Sequence, residues 1–342
     1  MLLDTPFDTF RHRFEDHLAE LLAPDQPGAF ILVLANAMQD AALHARLAEG
    51  LAATWTALRA ALAAGTLQGA PDDLAVLERL AEHGIDGYHS WRQRDVPPWR
   101  LAFNPLRALR PARASRDRFT TLQRPFDPRG FHFDKPFLRP EILAETDFEG
   151  SPLRIMYHKF PFAPYHLLLV PEPTAGRAQY LGPADHERFW RLTARVARHL
   201  PGFGLGYNSL GAGASINHLH THGIVDPAPL PIEGDQWRHN GGALPYPLAV
   251  TSLDDPDAAW QAIAALHRQQ QPYNLFYRPG RCYLITRRPQ GSPEMAPWLR
   301  GAGWYEACGG FNLSDEATFQ ALTAARIERD LASLRVPAPA SA

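Results

Sequence analysis

Three histidines at alternate positions, His218, His220 and His222, are the side chains of this chain best spaced to do chemistry. On a strand, residues i, i+2 and i+4 share one face, at steps of about 7 Å. On a helix the same spacing would scatter them around the axis. The intervening Leu219 and Thr221, and the following Ile224 and Val225, favour a strand over Ile216–Val225, so that three imidazoles point the same way. Just upstream, Gly211, Gly213 and Ser215 form a small-residue loop. Its backbone N–H groups can approach an anion closely, and the serine hydroxyl adds a donor. Asn208 precedes the loop and can reach the same place.

Three chemistries suit such a row. His-x-His on a strand is a common metal-ligand pair, though a cupin-like site would want a carboxylate a few residues on, and only Asp226 is near. Buried histidines satisfied by their neighbours are the purely structural alternative. The third is covalent transfer at phosphorus: a neutral imidazole is a competent nucleophile near pH 7, and neighbouring imidazoles and N–H donors can hold phosphoryl oxygens.

The elements that must position these residues can be read from periodicity and punctuation. Up to about Glu82 the chain is helical in pattern: Phe7, Phe10, Phe14, Leu18, Leu21 and Leu22 recur at helical steps, Asp40–Ala63 is rich in good helix formers, and Asp72–Glu82 is a third helix. Trp91–Pro140 is rich in proline and arginine, including Arg107, Arg110 and Arg113, and reads as an extended wrap over a core. Leu153–Lys159 and His166–Val170 are strands about a proline-rich turn, followed by an amphipathic helix over Asp185–Leu200 and a strand at Phe203–Asn208. A second set comprises a helix over Asp257–Gln270, strands at Tyr273–Arg278, Arg281–Arg287 and Tyr305–Phe311, and a closing helix from Ser314 to Leu334. Short antiparallel strands with helices between them predict an α+β fold, built from two similar halves.

Composition narrows the function classes. The 342 residues carry 34 Lys+Arg against 36 Asp+Glu, a net charge of −2 that argues against a general nucleic-acid binder. An apolar fraction of 45% supplies a sizeable core and excludes disorder as the main theme. Two cysteines, Cys282 and Cys308, exclude a disulfide scaffold and a four-cysteine zinc site. The acidic N-terminal segment does not read as a secretory leader, and the apolar run Gly28–Met38 is far short of the roughly 20 residues that span a bilayer. The expectation is a soluble, cytoplasmic protein with no membrane and no nucleic-acid partner.

His-x-His-x-His after an Asn…Gly…Ser loop resembles the histidine-triad (HIT-like) superfamily. The stretches GYNSLG and ASINHLH are similar to its GDP-hexose phosphorylase branch, relatives of galactose-1-phosphate uridylyltransferase and diadenosine tetraphosphate phosphorylase. So are QRPFDPRGFHFDK, MYHKFPFAPYHLLLVPEP, PLPIE, YNLFYRPGRCYLITRR and WYEACGGF, so that the likeness runs over about residues 100 to 330. The resemblance implies antiparallel HIT-like sheets with flanking helices, a catalytic half at 96–235 and a second half at 236–336; ahead of them the helical periodicity marks an N-terminal helical region at 1–95, and the tail at 337–342 reads as loose. It makes His220 the nucleophile flanked by His218 and His222. It places Asn208, Gly211, Gly213, Ser215 and Lys159 at phosphate or nucleotide, and Asn217 and Glu306 near substrate. The implied reaction is nucleotidyl transfer through a nucleotidyl-histidine, with a nucleotide-sugar or dinucleotide and inorganic phosphate as partners, no metal or other cofactor, and a homodimer as the assembly. One position departs from the branch: transferases and phosphorylases carry Gln where His222 stands, and hydrolases carry His. That leaves phosphate, a sugar phosphate or water as the acceptor: phosphorolysis of an NDP-hexose, a GDP-hexose by the resemblance, to NDP and hexose 1-phosphate is the leading expectation, and hydrolysis of NDP-sugars, dinucleoside polyphosphates or nucleotide conjugates to NMP is the alternative.

Overall fold

The computed structural model describes residues 2–23, 25–85, 91–109 and 121–336. Arg110, Arg113 and the tail at 337–342 lie outside the described residues.

Four helices open the chain: α1 Phe7–Glu20, α2 Pro27–Ala37, α3 Ala41–Ala63 and α4 Pro71–His83. The apolar run from Gly28 to Met38 is explained by α2, which is buried on nearly every side. Such an all-round apolar helix belongs inside a helical layer. The Asp40 carboxylate caps α3 by accepting from the backbone N–H groups of Ala42 and Leu43. Pro71 occupies the first turn of α4, and Gly84 ends it at φ 74°.

Arg92–Val96 (β1) and Trp99–Phe103 (β2) make a hairpin in the segment expected to be an extended wrap. The expected boundary at residue 95 therefore cuts a strand. The sequence pattern missed β1 because its side chains are mostly exposed and polar. The main sheet has eight strands: β3 Ile142–Phe148, β4 Ser151–Tyr157, β5 Leu167–Pro171, β6 Phe203–Asn208, β7 Thr221–Val225, β8 Ala249–Leu253, β9 Tyr273–Arg278 and β10 Arg281–Thr286. Its order is β3-β4-β5-β7-β6-β9-β10-β8, antiparallel at every pairing. The strands before and after residue 235 meet at β6–β9, so one continuous sheet runs through both. Helices α5 (Pro183–Val196) and α6 (Pro256–Arg268) pack against it.

Alternation along the strands divides the core. Tyr157, Leu169, Tyr207 and Leu275 face the layer that also contains α1–α6. Ile224, Phe276 and Ile285 face a second layer that includes β2, the short helix α7 (Trp304–Ala307), β11 (Gly310–Leu313), α8 (Glu316–Ala321) and α9 (Ala324–Ala332). β11 pairs in parallel with β2.

Two expected elements of the C-terminal part differ. The stretch from Tyr305 begins as a helical turn and becomes a strand only at Gly310, because the Glu306 carboxylate accepts from the Gly303 N–H at 2.8 Å and closes the first turn. The closing helix is broken at Leu322, and the Thr323 hydroxyl caps the new start by accepting from the Arg326 N–H. Among the described residues, no helix is long and apolar enough to cross a membrane.

Candidate active site

The site is assembled on the sheet face opposite α1–α6, where β7 meets β5 and β6. Regular strand covers only Thr221–Val225, so His222 is the one histidine of the row inside it. His220 stands immediately before β7, and His218 lies in an irregular turn. His222 pairs across the sheet with Leu168 on one side and Gly206 on the other. The expected strand is shortened because the preceding segment bonds instead to the chain at 177–179: the Leu219 N–H donates to the Arg177 carbonyl, and the Gln179 N–H to Asn217 Oδ1.

His220 is the best-prepared nucleophile. Its Nδ1 lies 2.7 Å from the His218 carbonyl oxygen, which accepts only, so Nδ1 carries the proton and donates it. Nε2 therefore keeps its lone pair. Burial pushes the ring's pKa down to about 4, against an opposing upward pull from the His218 carbonyl. At neutral pH the ring is uncharged. The peptide around it is clamped by Gln179, whose Oε1 accepts from the His220 N–H at 2.8 Å. Gln179 Nε2 donates to the His220 carbonyl at 3.1 Å and to the Asn208 carbonyl at 2.9 Å.

A cavity of about 90 Å³ opens at His220. Asn208, Gly213, Ser215, His222 and Glu306 line it, as the sequence expectation requires of a common site. Asn208 is set by two donors to its Oδ1, the Trp304 N–H and Asn274 Nδ2, each at 2.7 Å, which turns its amide N–H₂ to the other side. Gly213 has φ 102°, and a Cβ there would sit 2.7 Å from the Gly303 Cα. The loop is therefore glycine for two reasons, conformation and contact with backbone that cannot swing aside.

The structure does not bring four of the expected residues to this cavity. His218 is fully buried among the rings of Phe126, His132 and Phe133, and its Nδ1 accepts from the Phe133 N–H at 3.1 Å. Its backbone carbonyl, rather than its ring, reaches His220. The Gly211 carbonyl accepts from the Gln290 N–H at 2.6 Å. Asn217 donates to the Arg124 and Pro125 carbonyls and fastens that segment. Lys159 Nζ is 2.7 Å from Asp73 Oδ1 and 3.7 Å from Glu141 Oε1, in a neighbouring cavity.

Residues the motif did not disclose complete the walls: Arg107, Phe133, His158, Phe162 and Trp304. Arg107 was visible only as one of many arginines. In the structure its guanidinium lies over the Phe162 ring and donates to the Phe160 carbonyl. The Trp304 indole N–H is buried without an acceptor among the described residues.

The histidines also form a second group. His222, His158 and His166 could present ring nitrogens to one metal ion, all within 4.8 Å of one another. The surrounding hydrogen bonds oppose this. His158 Nδ1 accepts from the Phe160 N–H at 3.2 Å, and His166 Nδ1 accepts from the Phe162 N–H at 3.4 Å. Each neutral ring then keeps its proton on Nε2, whereas a ligating histidine donates its non-ligating N–H outward. The same bonds orient His222: His166 Nε2–H donates to His222 Nδ1 at 2.9 Å, leaving the His222 proton on Nε2.

The antiparallel sheet with flanking helices is a fold that this chain shares with solved proteins. Yeast Ap4A phosphorylase Apa2 in complex with AMP has a similar fold, with a TM-score of 0.51 over 79% of this chain and 97% of that one, at 16% identity. Residues 100–224, which contain the whole histidine row, match the family described as GDPGP1-like, N-terminal domain. GDP-D-glucose phosphorylase 1 of Bos taurus is 37% identical over 156 residues, 40% of each chain. The protein of that name from Homo sapiens is 37% identical over 122 residues, 33% of this chain and 31% of that one. GDP-L-galactose phosphorylase 1 of Arabidopsis thaliana is 37% identical over 90 residues, 25% of this chain and 19% of that one. The chain thus matches well under half the length of these curated relatives.

Proposed function

We propose that this chain is a nucleotidyl-transferring phosphorylase that converts an NDP-hexose, a GDP-hexose by the names of its relatives, and phosphate into NDP and hexose 1-phosphate. The observation that carries the reading is the tautomer of His220: its Nδ1–H is held by the His218 carbonyl, and its Nε2 lone pair is available at neutral pH.

In the first half-reaction His220 Nε2 attacks the α-phosphorus, and the bond from that phosphorus to the oxygen bridging to the β-phosphate breaks. Hexose 1-phosphate leaves with the electron pair. The ring then carries both Nδ1–H and the nucleotidyl group, and is cationic. The His218 carbonyl, already bonded to Nδ1–H, stabilises that charge as it develops. His222 Nε2–H, set by His166, and the Asn208 amide are donors for phosphoryl oxygens. In the second half-reaction a phosphate oxygen attacks the same phosphorus, the P–N bond breaks, and NDP departs. Charge is handled by protein groups throughout, so the reaction as written calls for no cofactor.

The test is incubation of GDP-glucose and other NDP-hexoses with the protein, with and without phosphate, read by mass spectrometry. Phosphate-dependent formation of NDP and hexose 1-phosphate is expected, with a nucleotidyl adduct on His220. His220→Ala should abolish both while the chain stays folded. Phosphate-independent NMP would make the protein a hydrolase, and wild-type turnover by His220→Ala would refute the mechanism.

A further inference from the structure

A second cavity, of about 230 Å³, adjoins the one at His220 and shares Phe133, His158, Leu168, Ser215 and Ile216 with it. A group seated there is continuous with a phosphate at His220. Its outer wall is aromatic: Phe131 and Phe137 are 36% and 58% exposed, among the few large apolar side chains at the surface of the described residues, with ring centroids 6.1 Å apart. Exposed rings beside a phosphate site suit stacking on a planar base. The floor carries an ordered set of charges. Lys159 Nζ lies 2.7 Å from Asp73 Oδ1 and 3.7 Å from Glu141 Oε1, and Asp72 lines the same space.

We propose that Lys159 and Asp73 read the base as guanine, through a paired donor and acceptor on its Watson–Crick edge. The inference rests on the reading of the His220 cavity as the phosphoryl site. Guanine presents O6, an acceptor, beside N1–H and N2–H₂, donors. An ammonium beside a carboxylate is complementary to that order. Adenine held in the same orientation presents an amino donor beside an acceptor nitrogen and meets both protein groups with the wrong polarity. The ion pair does not exhaust either partner, since an ammonium has three donors and a carboxylate about four acceptor sites. The placement is built by the N-terminal helices, which lie outside the segment that matches the family model. Asp73 comes from the first turn of α4, and Gly28 at the start of α2 makes room for it: a Cβ there would lie 2.6 Å from Asp73 Oδ2 and 3.1 Å from Lys159 Nζ.

Binding of GDP, IDP and ADP to the full-length protein by titration calorimetry tests this without depending on turnover. Wild type is expected to bind GDP at least about tenfold tighter than ADP, as one correctly paired base edge provides. IDP, which lacks the N2 amino group, should fall between. Asp73→Asn and Lys159→Met should each reduce the GDP-to-ADP ratio about tenfold or more, with folding checked by thermal melts. Gly28→Ala, which keeps both charges and favours the helix, should also lower the ratio by displacing the pair. Equal binding of GDP and ADP by wild type, or an unchanged ratio in the folded variants, would overturn the inference. An Asp73-dependent ratio in a protein that turns over no NDP-hexose would keep the inference and refute the proposed reaction instead.

Discussion

The reactivity proposed for His220 rests on two opposed influences on one ring. Burial removes water from the imidazolium and lowers the pKa to about 4, while the His218 carbonyl fixes the tautomer and is ready to share the charge that forms on attack. The ordinary imidazole pKa near 6.5 would leave a substantial protonated fraction in mildly acid solution; this ring has very little. The pH profile of kcat/KM should therefore stay flat from neutral pH to about 5, with any limb due to His220 appearing near 4. A limb at 6.5 that moves with substitution at His220 would show that the ring is solvated. The stability dependence has a definite sign. His218 and His267, like His220, are lowered to about 4 chiefly by burial. Their unfolded forms take up protons near 6.5, whereas the folded forms resist until about 4. Stability is then retained above about 6.5 and lost as pH falls between those values. Urea midpoints at pH 7.5 and pH 5 should differ in that direction.

The next constraint comes from the segment between β5 and α5, which brings Gln179 beside β6 and β7. One buried amide bonds three backbone groups, on His220 and Asn208. Gln179→Leu would leave those groups unsatisfied, at about 1–3 kcal/mol for each that cannot find water. It would also release the peptide that aims His220, the proposed nucleophile. A misplacement of about 1 Å can cost about 100-fold, so we expect a loss in kcat of that order with nucleotide binding largely kept. Single-turnover formation of the His220 adduct beside calorimetric binding separates these effects; unchanged single-turnover rates would show that the clamp is only structural. This element also shows what the sequence could and could not disclose. His220, His222, Asn208, Gly213 and Ser215 were legible because strand alternation and a glycine loop are local patterns. Gln179, His166 and Trp304 were not, because each acts through a contact made only when distant segments pair. Their types are unremarkable in place: a Gln in a loop, a His at a strand start, a Trp in an aromatic run. The helical turn α7 departs from the expected strand for a related reason, since WYEACGGF has strand composition and the Glu306–Gly303 bond turns it. The neighbours of Lys159 in the chain place it at phosphate or nucleotide, while α4, far away in sequence, supplies its ion-pair partner Asp73.

The N-terminal helices and the main sheet have one hydrophobic core, from Phe10 and Phe30 through Tyr157 and Leu169 to Leu275. The joint is aromatic. The Phe14 ring meets Tyr157 at 4.7 Å and Tyr165 at 5.3 Å between centroids, and the Tyr157 hydroxyl donates to the Phe14 carbonyl at 2.6 Å. Helices joined in this way cannot melt without exposing the apolar face of β4 and β5, and those strands carry the turn that presents His158, Lys159 and His166. Phe14→Ala removes the ring but not the carbonyl, so the hydrogen bond can persist while a cavity opens. The expected cost is about 3–5 kcal/mol, as for other buried phenylalanines. Because the core is shared, that cost should fall on the whole chain. Far-UV circular dichroism, weighted to the helices, and the fluorescence of the tryptophans should give coincident urea transitions, both shifted to lower urea in the variant. If the helical signal instead moved alone and the tryptophans facing the second layer, Trp99 and Trp304, kept their wild-type midpoint, the helices would be a separable unit. The base recognition proposed for Asp73 would then depend on how that unit docks rather than on the fold itself.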